Sequence, residues 1–171
     1  MTQTGTGAAS EIGRRLSALG KTLAVAESCT AGLVGHSIST EPGCSAYFLG
    51  GVIAYADRVK TAVLAVDPVS LRDYGAVSEV VARQMAAGVR RLLRADIGLG
   101  VTGIAGPSGG SDAKPVGLVF VSCADESGIT CKRLELAGDR STVQASACDA
   151  VLEMVIDRLG GNVTAGRPPG S

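Results

Sequence analysis

The chain has no tryptophan, and aromatic residues make up only 3% of it. Proteins that grip single-stranded nucleic acid stack the bases on aromatic side chains, so that class is disfavoured. Neither sign of charge is in excess: 16 Lys and Arg stand against 16 Asp and Glu. Polyanion binding by counterion release needs a clustered cationic surplus, so no direct nucleic-acid binding is expected. There is one histidine, His36, inside a helical run, and it reads as a helix-surface residue. None of the five cysteines forms a Cys-x-x-Cys pair, and the odd count argues for a reduced set rather than a disulfide frame or a zinc site. The N-terminus has no hydrophobic signal region, and no apolar run is long enough to span a membrane. A soluble, cytoplasmic protein with no metal or cofactor is the expectation.

What is present fits one domain. A chain of 171 residues buries about 70% of its unfolded surface on folding. Residues 1–9 are small and read as a loose N-terminus, residues 10–160 as the domain, and residues 161–171 as a disordered tail. Ser10 reads as the cap of a first helix ending at Leu19. Strands are expected at Thr22–Ala26, Val52–Tyr55, Ile97–Val101, Gly117–Ala124 and Thr130–Leu136. Helices are expected at Thr30–Thr40, Arg58–Leu64, Ser78–Leu93 and from Asp139 or Ser141 to Leu159. The late hairpin makes one antiparallel pair, so the sheet is expected to be mixed and covered by helices on both faces.

Three segments carry candidate chemistry. Ala26-Glu27-Ser28-Cys29-Thr30-Ala31-Gly32 lies where a strand gives way to a helix. Free backbone N–H groups there suit an anion such as phosphate; the plainer reading is a helix cap by Ser28 or Thr30. Thr102-Gly103-Ile104-Ala105-Gly106-Pro107-Ser108-Gly109-Gly110 follows a strand and lets backbone approach a ligand closely. Its spacing fits neither a Walker loop nor a Rossmann fingerprint. Gly43 to Lys60 places Ser45, Tyr55 and Lys60 in one stretch. A serine becomes a useful nucleophile when a base takes its proton, and with one imidazole in the chain a lysine is a plausible base. Taken alone, these three residues read equally as a turn, a strand end and a surface charge. Cys29 and Cys44 rank lower as nucleophiles, and Glu27 with Asp57 as an acid/base pair. Arg140, at a helix start, could grip an anion or form a structural ion pair.

Taken together and in order, Ala26-Glu27-Ser28-Cys29-Thr30, Tyr55 with Lys60, Gly75-Ala76-Val77-Ser78-Glu79, Thr102-Gly103-Ile104-Ala105-Gly106-Pro107, Lys114-Pro115-Val116-Gly117 and Gly138-Asp139-Arg140 resemble the CinA C-terminal domain, the nicotinamide-nucleotide amidase family. The resemblance covers about residues 10 to 160. It implies a three-layer α/β/α sandwich with a mixed sheet, often found as an oligomer. It implies hydrolysis of the carboxamide of nicotinamide mononucleotide to nicotinate mononucleotide and ammonia. Ser45 matches the nucleophile, Lys60 its activator, Tyr55 the supporting tyrosine and Arg140 the arginine of the Gly-Asp-Arg motif. The glycine loop through Gly103 and Gly106, with Arg140, would hold the phosphate; Ser28, Thr30 and Thr102 would shape the pocket. Many relatives carry an additional N-terminal domain, for which this chain has no room. The chain departs from the family pattern at Ala31, at Ala56-Asp57 and at Gln144. Two other function classes stay open: a nucleotide-binding or regulatory module without efficient chemistry, and an interaction protein in DNA uptake or damage response.

A geometric condition follows. If residues 46–55 form one extended strand, about 30 Å separates Ser45 from Tyr55. Either the chain folds back around Gly50-Gly51 or a second subunit completes the site. The bend is the expectation.

Overall fold

A computed structural model describes residues 6–160. The elements run α1 (Thr6–Leu19), β1 (Leu23–Glu27), α2 (Leu33–Ser39), a 3-10 turn (Cys44–Ala46), β2 (Phe48–Ile53), α3 (Asp57–Leu64), α4 (Pro68–Tyr74), α5 (Glu79–Leu93), β3 (Ile97–Gly103), β4 (Leu118–Asp125), β5 (Gly128–Glu135) and α6 (Arg140–Gly160). The strands form one sheet in the order β2-β1-β3-β4-β5. β1 pairs in parallel with β2 and β3, whereas β3–β4 and β4–β5 are antiparallel. The mixed sheet between two helical layers is the expected architecture.

Burial explains the order. β1 is buried along its whole length and β3 everywhere but at its last residue. Continuous burial is what central strands covered on both faces require. One face carries α1, α2 and α6, whose Ile12, Leu16, Val34, Ile38, Val151 and Val155 pack with Leu23, Leu99 and Val121. The other face packs Leu64, Val81, Met85 and Val89 from α3 and α5 against Ala24 and Ala26. Gly98 and Gly100 lie under α5, where an added Cβ would overlap the Ala86 and Ala82 carbonyls.

Several boundaries differ from expectation. α1 begins at Thr6, so residues 6–9 of the segment read as loose are helical, and Ala9 is buried in the core. Residues 1–5 and 161–171, read as a loose start and a disordered tail, lie outside the described residues. α4 was not expected. Its start is nonetheless marked by Asp67, whose side chain accepts from the Val69 N–H, and by Pro68 in the first turn.

β2 begins at Phe48 rather than Val52 and runs straight through Gly50 and Gly51. The chain therefore does not fold back there. The glycines are instead in register with β1, Gly50 opposite Ala24 and Gly51 opposite Val25, and the irregularity is a one-residue bulge at Leu49.

Candidate active site

A cavity of about 250 Å³ opens at the carboxyl ends of β1 and β3. This is the crevice that open α/β sheets offer where neighbouring parallel strands send their chains to opposite sides. Ser28, Tyr55, Lys60, Thr102, Gly103, Gly106 and Arg140 all line it, with Asp57, Cys29, Ala76 and Ser108.

Lys60 projects from α3 into the interior and is only 1% exposed. Its Nζ donates to the Tyr55 carbonyl at 3.1 Å and to Asp57 Oδ1 at 3.2 Å. The amine is thus held beneath residues 55–57. Tyr55 is more than half exposed, and its hydroxyl accepts from Arg140 Nη2 at 3.1 Å. Arg140 Nη1 donates to the Gly106 carbonyl at 2.8 Å, so one guanidinium ties the glycine loop to Tyr55. Asp139 fixes the start of α6 by accepting from the Thr142 N–H at 2.8 Å and from the Ser141 and Thr142 hydroxyls. These hydrogen bonds to the charged form hold its carboxyl down at about 2.

The strand-to-helix turn after β1 is not the expected anion site. The Glu27 carboxylate, 1% exposed, accepts from the N–H groups of Gly32, Val34 and Gly35 at 2.8–3.1 Å. The chain supplies its own anion to the amino end of α2, so those donors are not left for phosphate. The plainer reading fails as well: neither Ser28 nor Thr30 caps the helix, which starts at Leu33 after Gly32. Thr30 Oγ1 is buried without a hydrogen-bond partner among the described residues and does not line the cavity. Gln144 Nε2 donates to the Cys29 carbonyl at 2.7 Å and so steadies the same turn. Burial pushes the Cys29 thiol up to about 11, which removes it as a nucleophile at neutral pH. His36 is exposed on α2, as its helical position implied.

Thr102 is 1% exposed, and its hydroxyl donates to the Ala76 carbonyl at 2.9 Å. It thereby brings Ala76 and Val77 to the cavity wall. The sequence reading assigned this Gly75–Glu79 segment no role. Its signal was its place among the ordered motifs, but the tether depends on a contact across 26 residues.

Ser45 does not join the group. It is exposed in the 3-10 turn before β2, whereas Tyr55 and Lys60 follow the other end of that strand. β2 spans six residues, about 20 Å of extended chain. A single chain with an intramolecular bend, as expected from the sequence, does not bring Ser45 to Lys60. Glu27 and Asp57 likewise do not act as a pair, because the first serves α2 and the second Lys60.

Comparisons with known proteins agree with this architecture. Residues 6–159 match the CinA C-terminal domain family. A putative competence-damage inducible protein of Halothermothrix orenii is 54% identical over 132 residues, covering 77% of this chain and 32% of the relative. A CinA-like protein of Gloeothece citriformis is 48% identical over 146 residues, covering 83% and 35%. The chain thus spans about a third of the length of these curated relatives. Among solved structures, the competence/damage inducible protein CihA of Agrobacterium tumefaciens matches with a TM-score of 0.90 at 33% identity, covering 94% of this chain and 98% of that one. A CinA superfamily protein of Escherichia coli matches with a TM-score of 0.87 at 31% identity, covering 92% and 93%.

Proposed function

The chain belongs to the CinA C-terminal domain family, and from that premise we propose that it is an amidase that hydrolyses the carboxamide of nicotinamide mononucleotide. The observation that carries the reading is one cavity in which a buried lysine, a tyrosine hydroxyl, an arginine and a glycine loop converge. In this reading a serine hydroxyl gives its proton to the Lys60 amine while its Oγ bonds to the amide carbon. The oxyanion is steadied by the Tyr55 hydroxyl. The C–N bond breaks as the leaving nitrogen takes the proton back from Lys60, and ammonia departs. Water then hydrolyses the acyl ester to the nicotinate product and restores the serine. Arg140 and the loop through Gly103 and Gly106 hold the phosphate, and no step draws on a metal.

Two serines compete for the nucleophile's role. Ser28 lines the cavity within one chain; Ser45, which the family resemblance implies, needs a second copy. The test is ammonia release from nicotinamide mononucleotide, with the riboside as a control lacking phosphate. Lys60→Ala is expected to lower turnover at least about 100-fold, as for loss of a general base. Full activity in that variant overturns the mechanism. A second reading, a nucleotide-binding module without turnover, is favoured by Asp57, whose carboxylate engages the amine that must accept the proton. Saturable binding of the mononucleotide with no ammonia released would select it.

A further inference from the structure

Among the described residues that line the cavity, Lys60, Arg140 and Asp57 carry charge. The two basic side chains have roles in the proposed reaction, and Asp57 has none. It stands in the first turn of α3, where an acid suits the helix dipole. It does not cap that helix: Ala56 is the cap residue, and no side-chain hydrogen bond closes the end. Asp57 Oδ1 accepts from Lys60 Nζ at 3.2 Å, and the other carboxylate oxygen has no hydrogen-bond partner among the described residues. The Asp57 side chain is 60% exposed against 1% for Lys60, so the carboxylate is the solvent-facing member of the pair.

Charge balance gives this carboxylate a task. In the proposed reaction the Lys60 amine receives the serine proton, so it enters that step uncharged. A ligand that fills the cavity also drives water out. Asp57 would then be an anion with neither a cation nor solvent against it, which is costly. Arg140 is taken up by the phosphate in the same reading, and its Nη1 and Nη2 meet the Gly106 carbonyl and the Tyr55 hydroxyl rather than Asp57. The missing positive charge has to come with the ligand. Nicotinamide mononucleotide brings it, because its ring nitrogen is quaternary. One ring atom separates that nitrogen from the carbon that bears the carboxamide. A ring whose carboxamide reaches Lys60 therefore sets its charge beside Asp57, which is hydrogen-bonded to that amine. Val77, Ile104 and Ala105 give the ring an apolar wall. The cavity thus offers an anion to the ring and a cation to the phosphate, each opposite in sign to the end of the ligand it meets.

We propose that Asp57 is a specificity-determining residue: its carboxylate is the counter-ion of a quaternised pyridine ring, and the cavity selects phosphorylated carboxamides whose ring is positively charged. The proposal rests on the amidase reading for the identity of the ligand and deepens it. One carboxylate oxygen stays with the Lys60 amine and the second meets the ring. Free nicotinamide, which has neither charge, is a poor ligand. So is the reduced mononucleotide, whose dihydropyridine ring is neutral while its phosphate, ribose and carboxamide are unchanged.

The test compares affinities for the oxidised and reduced mononucleotides by calorimetry. Hydrolysis during the titration is prevented by Ser28→Ala with Ser45→Ala, which removes both candidate nucleophiles. In that background the oxidised form is expected to bind at least about tenfold more tightly than the reduced form, as for one opposite charge at close range. Adding Asp57→Asn is expected to bring the two affinities within about twofold by weakening the oxidised form alone, since the amide keeps the shape and loses the charge. Unchanged affinity for the reduced form then reports that the variant is folded. A preference that survives Asp57→Asn overturns the proposal. So does an equal loss of both forms in that variant, or a background chain that binds both forms equally or binds neither. Ammonia release by the wild-type chain is read separately. Release, together with a preference that survives Asp57→Asn, leaves the amidase reading standing and removes the role of Asp57. No release, together with a preference that Asp57→Asn erases, removes the amidase reading and leaves the counter-ion in place.

Discussion

At the scale of single residues, the most consequential side chain outside the reacting groups is Glu27. It is buried and meets three backbone N–H groups at the start of α2, those of Gly32, Val34 and Gly35. Removing it leaves buried donors unmet, at a cost of about 3 kcal/mol. Glu27→Ala is therefore expected to lower the denaturation midpoint markedly in a urea titration, and Glu27→Gln, which keeps one acceptor, to lower it less. Arg140 has a different character. It bridges the Gly106 carbonyl and the Tyr55 hydroxyl, so Arg140→Ala loosens one wall of the cavity and removes a cation. The expected result in an ammonia-release assay is a KM for the mononucleotide raised about tenfold or more, as for loss of a charge-assisted contact. At this scale Lys60, Tyr55 and Arg140 were legible in the sequence, because ordered motifs pointed to them. The contacts that hold the cavity wall around them were not. The grip of Gln144 on Cys29 and of Thr102 on Ala76 depends on which segments the fold brings together, and spacing along the chain does not encode that.

At the scale of elements, glycine content has two opposite meanings that predict opposite effects. Gly100 in β3 lies against α5, where a Cβ would meet the Ala82 carbonyl and the backbone of Ala86. Gly100→Ala is expected to destabilise the fold by about 2 kcal/mol through overpacking. Gly7, inside α1, has nothing within 4 Å of an added Cβ. Gly7→Ala is expected to stabilise by about 0.5–1 kcal/mol through helix propensity; thermal melts of the two variants check both signs. The same ambiguity shaped what the sequence disclosed. Long periodic helices such as α5 and apolar strands such as β1 and β4 were readable. β2 was misjudged because Gly50-Gly51 looks like a break, whereas register with β1 keeps it a strand. α4 escaped because its seven residues bury only Ser70 and show no apolar stripe. The start of α1 escaped because Gly7 and Ala8 look loose until Ala9 and Ile12 are seen to be buried.

At the scale of the whole molecule, Arg158 of α6 fastens that helix to the β4–β5 hairpin. Its Nε and Nη2 donate to both oxygens of Asp125, a side chain only 9% exposed. The guanidinium holds the Asp125 carboxyl well below the usual carboxylate range. A depressed carboxyl contributes stability that is fully present above the unfolded value of about 3.9 and is lost as pH falls through the folded value. Arg158→Ala is thus expected to cost about 3 kcal/mol at pH 7, with the gap from wild type closing only below about pH 4; melts across pH 2–7 check this. The internal neutralisation of α2 by Glu27 also reaches beyond stability. With that helix already satisfied, the basic side chains lining the cavity are Lys60 and Arg140, and in the proposed reaction the first serves the amide end of the mononucleotide. Discrimination between a phosphorylated and an unphosphorylated nucleoside then falls to one guanidinium at the mouth, where dissolved ions compete with it. Preference for the mononucleotide over its riboside should therefore erode as ionic strength rises, while turnover at saturation holds steady.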